Sequence, residues 1–147
     1  MVKGDDMKIS ARNVLKGSIQ RVTKGAVNAE VALALEGGDG VTAIITNGSV
    51  DALGITVGKV AYAVMKASEV MIGKGIAKGS ISARNVLPGV VEAVHDGAVN
   101  SELTVSLAGG ARVVASITKD SVKSLGVKVG DPVSAIIKAS NVMVGVE

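Results

Sequence analysis

The chain has 147 residues, a net charge of +3 and a hydrophobic fraction of 48%, yet it contains no Phe, Trp or Cys and only one Tyr and one His. These counts exclude disulfides, cysteine metal sites and thiol nucleophiles, argue against a histidine metal site, and leave Val, Ile, Leu, Ala and Met to build any core. The basic residues are scattered, so the charge hints at anionic ligands without marking a nucleic-acid surface, and no segment approaches the ~18 apolar residues of a membrane span.

Residues 1–7 have no apolar leader-like run and read as an N-terminal extension of a soluble, cytoplasmic protein. Val14 to Val22 reads as a first strand, with Gly17 as a bulge or close-approach point. Lys24-Gly25 turns the chain into an alternating strand that places Val27, Val31, Leu33 and Leu35 on one face. Glu36-Gly37-Gly38-Asp39-Gly40 is a hairpin loop, followed by a third strand from Val41 to Thr46. Asn47 to Leu53 forms a short helical turn closed by Gly54. A fourth strand runs from Val60 to Lys66 and a short fifth from Val70 to Ile72.

The pattern then begins again. Ile9-Ser10-Ala11-Arg12-Asn13-Val14-Leu15 recurs as Ile81-Ser82-Ala83-Arg84-Asn85-Val86-Leu87, and a slide of 72 positions matches the remainder without a gap. About 34 of the 65 pairs from Ile9 to Gly73 are identical. The chain therefore divides into an extension (1–7), a first domain (8–73), a Gly/Lys-rich linker (74–80) and a second domain (81–147). The fold class is all-β: two tandem OB-like five-stranded barrels, each with a short helical turn. A domain of this size, with at most one aromatic and no disulfide or metal, needs a partner to bury enough surface. The second copy is one such partner, and a homo-oligomer supplies the rest.

Most charges differ between the copies, as weakly contributing surface charges do. Among Lys and Arg only Arg12/Arg84 and Lys66/Lys138 are kept, and among acids only Glu30/Glu102. Ser10/Ser82, Thr46/Thr118, Ser49/Ser121 and Ser68/Ser140 are retained, as are the amides Asn13/Asn85 and Asn28/Asn100. This set is rich in donors and suits a tetrahedral dianion, which offers only acceptors. One Arg and one Lys balance two charges, and the small residues Ala11, Ala67, Ala83 and Ala139 let backbone amides approach. Spacing alone leaves an equal alternative, in which Arg12 and Lys66 merely knit strands or subunits together. Catalysis finds no Cys nucleophile and no matched carboxylate pair for acid/base work, so the chain is not read as an enzyme. His95 faces Thr23 in the other copy and reads as a surface turn residue. The hairpin glycines lack the Lys-Ser/Thr of a P-loop, and a single tyrosine cannot stack single-stranded nucleic acid.

Four separated segments, Ser-Ala-Arg-Asn, Gly-Ala-Val-Asn-(Ala/Ser)-Glu, Ile-Thr-x-x-Ser-Val and Lys-Ala-Ser, resemble the Mop domain, a molybdate-binding module. Two copies in one chain resemble the tandem-Mop molbindins. The resemblance implies a cytoplasmic protein for molybdenum storage and homeostasis, with no cofactor and with molybdate or tungstate as ligand. It further implies a homotrimer with the oxyanion between subunits, and no nucleic-acid or membrane partner. Carried onto this chain, the inter-subunit sites fall on Ser10, Ala11, Arg12, Asn13, Lys66, Ala67 and Ser68, with Thr46 and Ser49 from a neighbouring domain. In the second copy they fall on Ser82, Ala83, Arg84, Asn85, Lys138, Ala139 and Ser140, with Thr118 and Ser121. A second kind of site, near the threefold axis, falls on Ala26, Val27 and Asn28 and on Ala98, Val99 and Asn100. Close subunit packing would require the same Gly-Ala-Val-Asn segment. Glu30 and Glu102 are expected to fix that interface rather than bind an anion. Many Mop domains carry Lys-Ala-Pro-Trp where this chain has Lys-Ala-Ser. Nothing resembles a helix-turn-helix or P-loop, which argues against the regulator and transporter-ATPase relatives. The alternative function is a non-catalytic β-oligomeric adaptor in which anions only stabilise the assembly.

Overall fold

The computed structural model describes residues 8–147; the 1–7 extension lies outside them. The first copy forms β1 (Asn13–Lys24), β2 (Asn28–Leu35), β3 (Gly40–Thr46), α1 (Asn47–Leu53), β4 (Val60–Met65) and β5 (Met71–Gly73). The second repeats them as β6 (Asn85–Asp96), β7 (Asn100–Leu107), β8 (Arg112–Thr118), α2 (Lys119–Leu125), β9 (Pro132–Ile137) and β10 (Met143–Gly145). A 3-10 turn precedes each short last strand, at Ala67–Glu69 and Ala139–Asn141.

Local chemistry explains the boundaries. Thr46 caps α1 by accepting the Ser49 N–H, and Thr118 caps α2 by accepting that of Ser121. Gly54 and Gly126 end the helices in the left-handed region, at φ 64° and 63°. Gly17 is the close-approach point rather than the bulge, because a Cβ there would collide with the Ala34 carbonyl oxygen. The register shift lies beyond it, at Gln20, and its counterpart falls at Glu92. Val31, Leu33 and Leu35 point into the core as expected, but Val27 lies just before β2 and is 70% exposed, as Val99 is at 72%. His95 is exposed, as expected, but it belongs to β6 rather than to a turn.

Two curled, five-stranded antiparallel sheets result, in the orders β10-β4-β1-β2-β3 and β5-β9-β6-β7-β8. The fifth strands are exchanged. Met71–Gly73 pairs with Ile136–Ser134 of β9, and Met143–Gly145 pairs with Val64–Tyr62 of β4. The sequence copies are contiguous, but each sheet is completed by the other copy. Strand spacing does not reveal such an exchange, because two equivalent edges accept either last strand equally well.

The cores are correspondingly joined. Val31, Leu33, Val41, Ala61 and Met65 of one sheet and Leu103, Val105, Val113, Ala135 and Ile137 of the other belong to one continuous apolar cluster. Pooling the two small cores answers the burial problem posed by an aromatic-poor domain. Tyr62 is fully buried, and its hydroxyl donates to Glu147 Oε1 at 2.9 Å.

Candidate functional site

The segment before β1 crosses onto the other sheet. Asn13 is buried, and its side chain forms two hydrogen bonds with the backbone of Val114 in β8. Asn85 does the same with Thr42 in β3. The 3-10 turn at Ala67–Glu69 packs on β8, and the one at Ala139–Asn141 packs on β3. Each turn thereby brings the Lys-Ala-Ser segment of its copy beside the Ser-Ala-Arg segment.

Two matching cavities form at these junctions. The first, about 310 Å³, is lined by Ile9, Ser10, Ala11, Arg12, Lys66, Ala67, Ser68 and Met143. The second, also about 310 Å³, is lined by Ser82, Ala83, Arg84, Lys138, Ala139 and Ser140, with Met71 and Ile44. The strand exchange places a methionine from the opposite copy in each wall. Met71 and Met143 were not singled out from the sequence, although they are a retained pair. Each lining holds one guanidinium, one ammonium and two hydroxyls, and no carboxylate.

Asn13 and Asn85 were assigned to the oxyanion set, but neither lines its own copy's cavity. Their amides are engaged by the opposite sheet, so their retention has a structural cause. Thr46, Ser49, Thr118 and Ser121 also line neither cavity. Each pair is bonded to itself at the start of its helix, with Thr46 Oγ1 2.9 Å from Ser49 Oγ and Thr118 Oγ1 2.8 Å from Ser121 Oγ. Within one chain these hydroxyls lie elsewhere. Of the Gly-Ala-Val-Asn segment, Asn28 lines a separate hollow of about 360 Å³ with Thr23, Lys24, Gly25, Ala29, Glu30 and Ile44. Ala26, Val27, Ala98, Val99 and Asn100 are exposed.

Ion pairs surround the cavities. Arg12 Nη1 lies 2.5 Å from Glu102 Oε2, and Arg84 Nη1 lies 2.9 Å from Glu30 Oε2. Hydrogen bonding from Arg84, supported by the charges of Arg84 and Arg21, holds the Glu30 carboxyl below its ordinary range despite partial desolvation. The same bond raises Arg84 further above its usual value. Among the described residues neither Lys66 nor Lys138 forms an ion pair, and no group of three His, Cys, Asp or Glu is placed to hold a metal cation. The chemistry these linings offer is anion binding by a guanidinium, an ammonium and hydroxyl donors.

Comparison with known proteins agrees with this arrangement. The TOBE domain matches residues 9–72 and again 81–144. The molybdenum-pterin-binding protein MopA of Rhodobacter capsulatus is 44% identical over 137 residues, which is 93% of this chain and 52% of MopA. The chain thus spans about half the length of that relative. Molybdenum-pterin-binding protein 3 of Clostridium pasteurianum is 52% identical over 66 residues, 45% of this chain and 97% of the relative. Among solved structures, the cytoplasmic molybdate-binding protein ModG with molybdate bound superposes with a TM-score of 0.92. It shares 46% identity and covers 96% of this chain and 100% of its own.

Proposed function

The chain belongs to the TOBE-domain family, and on that premise we propose that it is a non-catalytic protein that binds molybdate, and tungstate by the same chemistry, at the two junction cavities. The observation that carries this reading is the matched lining: Arg12 with Lys66 and Arg84 with Lys138, each flanked by two serines and two alanines, with no carboxylate in the wall. A dianion there meets two cations and several donors. Hydrogenphosphate would bring a proton that a serine hydroxyl would have to accept instead of donating to the anion, so it is disfavoured.

Four matched apolar pairs are exposed on the single chain, Ile9/Ile81, Val27/Val99, Val57/Val129 and Met71/Met143. Their duplication supports a homo-oligomer, which we take to be a trimer. Ile9, Met71 and Met143 lie in the cavity walls, so a neighbouring subunit covering them would also cover the bound anion. That subunit's Thr46 and Ser49, or Thr118 and Ser121, would complete the donor set. The physiological role that fits a catalytically inert binder is intracellular molybdenum storage and homeostasis in the cytoplasm, and the ModG relative is described as cytoplasmic.

Titration calorimetry with molybdate, tungstate, sulfate and phosphate tests the reading. Saturable heat with the first two and much weaker binding of the others is expected. Absence of heat with molybdate, or equal affinity for sulfate, would overturn it. Sedimentation velocity of the same preparation checks the trimer.

A further inference from the structure

Each cavity arginine already holds a carboxylate, and that carboxylate comes from the opposite copy. Glu102 on β7 reaches Arg12, and Glu30 on β2 reaches Arg84. Each bond is a single Nη1–Oε2 contact rather than a two-pronged pair, so guanidinium donors remain for a second acceptor. Neither glutamate lines the cavity whose arginine it holds. They are also the one acidic pair kept between the copies.

The charge count follows. Arg and Lys alone present two positive charges, but with the glutamate attached the local balance falls to one. A singly charged anion that displaced the carboxylate would exchange one charge for another at the arginine. A dianion brings a second charge for Lys66 or Lys138 and has a net gain. The ion pairs themselves are weak enough to yield, because both partners are roughly half exposed. Such a pair shifts an equilibrium by no more than about fivefold.

We propose that Glu30 and Glu102 are displaceable counter-ions of the two oxyanion cavities, holding each arginine in place and yielding it to a tetrahedral oxyanion. This rests on the oxyanion-binding reading above. It makes the glutamates competitors for the arginines rather than only fixtures of an interface.

The test is calorimetric titration of the E30Q/E102Q chain with molybdate and with perrhenate, a tetrahedral monoanion. Glutamine keeps the shape and removes the charge. Molybdate affinity is expected to tighten by about two- to fivefold at low salt, with the gain fading as salt screens it. The preference for molybdate over perrhenate should widen, because the added positive charge acts twice on a dianion. Unchanged or weaker molybdate affinity in the variant would overturn the counter-ion role and leave the glutamates as orienting groups. Failure of the unmodified chain to bind molybdate would instead overturn the oxyanion reading itself, and this inference with it. A readout without substitution is the carboxyl 13C NMR signal of the two glutamates. Both are expected to shift when molybdate is added to the unmodified chain, and static signals at saturation would contradict displacement.

Discussion

The Asn13 side chain pairs with Val114 as another strand would: Nδ2 donates to the Val114 carbonyl at 2.8 Å and Oδ1 accepts its N–H at 2.7 Å. Asn85 repeats the arrangement with Thr42 at 2.8 and 2.7 Å. Each amide thus fastens the start of one copy to an edge strand of the other sheet. Asn13→Ala leaves both Val114 backbone groups without these partners in a part-buried setting, and it should destabilise the chain by about 1–3 kcal/mol. Asn13→Asp should cost more, because a carboxylate would face the Val114 carbonyl. Urea denaturation of the two variants checks the size and the order.

The strand exchange predicts an effect at a distance in sequence. Removing residues 142–147 deletes β10, whose hydrogen-bonded neighbour is β4 of the first copy. Amide exchange should therefore accelerate at Tyr62–Val64, while the corresponding segment at Ser134–Ile136 stays protected by β5. Hydrogen-exchange mass spectrometry distinguishes this from an unexchanged fold, in which Ser134–Ile136 would lose protection.

Gly37 and Gly109 meet where the two hairpin loops touch, and Gly109 N–H also donates to Asp39 Oδ2 at 3.0 Å. Gly37 has φ +96°, and a Cβ on it would collide with the Gly109 carbonyl oxygen. Gly38 has φ +102° but faces open space. Both Gly→Ala changes force a left-handed conformation, at about 1–2 kcal/mol. Only Gly37→Ala should add a steric cost, so its melting temperature should fall further than that of Gly38→Ala.

Acid should loosen the junction. Glu30 is held below its ordinary 4.5 by Arg84, and Asp131 below its ordinary 3.8 chiefly by the Lys128 backbone N–H, with Lys74 adding to it. A carboxylate lowered in the folded state binds fewer protons there than in the unfolded chain. Its stabilisation is present above the unfolded value and disappears as pH falls through the folded one. Stability should therefore drop on acidification below about pH 4.5, and Glu30→Gln should flatten the upper part of that decline. Chemical denaturation across pH 3–6 reads the slope directly.

Much of this arrangement was legible in the sequence, for identifiable reasons. Strand limits followed from alternation and glycine placement, and the helix C-terminus from Gly54, because these signals act within a few residues; the Thr46 cap emerged only from the structure. The exchange of β5 and β10 was not legible, since both copies present the same edge. Charge differences that looked like surface drift prove to be partly compensated. Lys59 Nζ donates to the Leu53 carbonyl at the end of α1, at 2.9 Å. Asp131 replaces it in the second copy, and Lys74 from the linker reaches both Asp131 and the Gly126 carbonyl. Lys24 pairs with Asp51 at 2.7 Å, and the signs at both positions reverse together to Asp96 and Lys123. Comparing the copies position by position finds which charges were kept, but the partners require three dimensions. For the same reason retention of Asn13 and Asn85 suggested ligand binding, whereas the backbone of the opposite sheet accounts for it.

The central claim is that one oxyanion-binding cavity accompanies each copy and depends on that copy's arginine. Equilibrium dialysis against saturating molybdate, with bound molybdenum counted per chain, tests it most directly across the unmodified protein, Arg12→Ala, Arg84→Ala and the double variant. Each single substitution should remove the portion of bound anion that belongs to its own cavity, and the double variant should lose both portions while remaining folded. Molybdate binding that survives intact in the folded double variant would contradict the account.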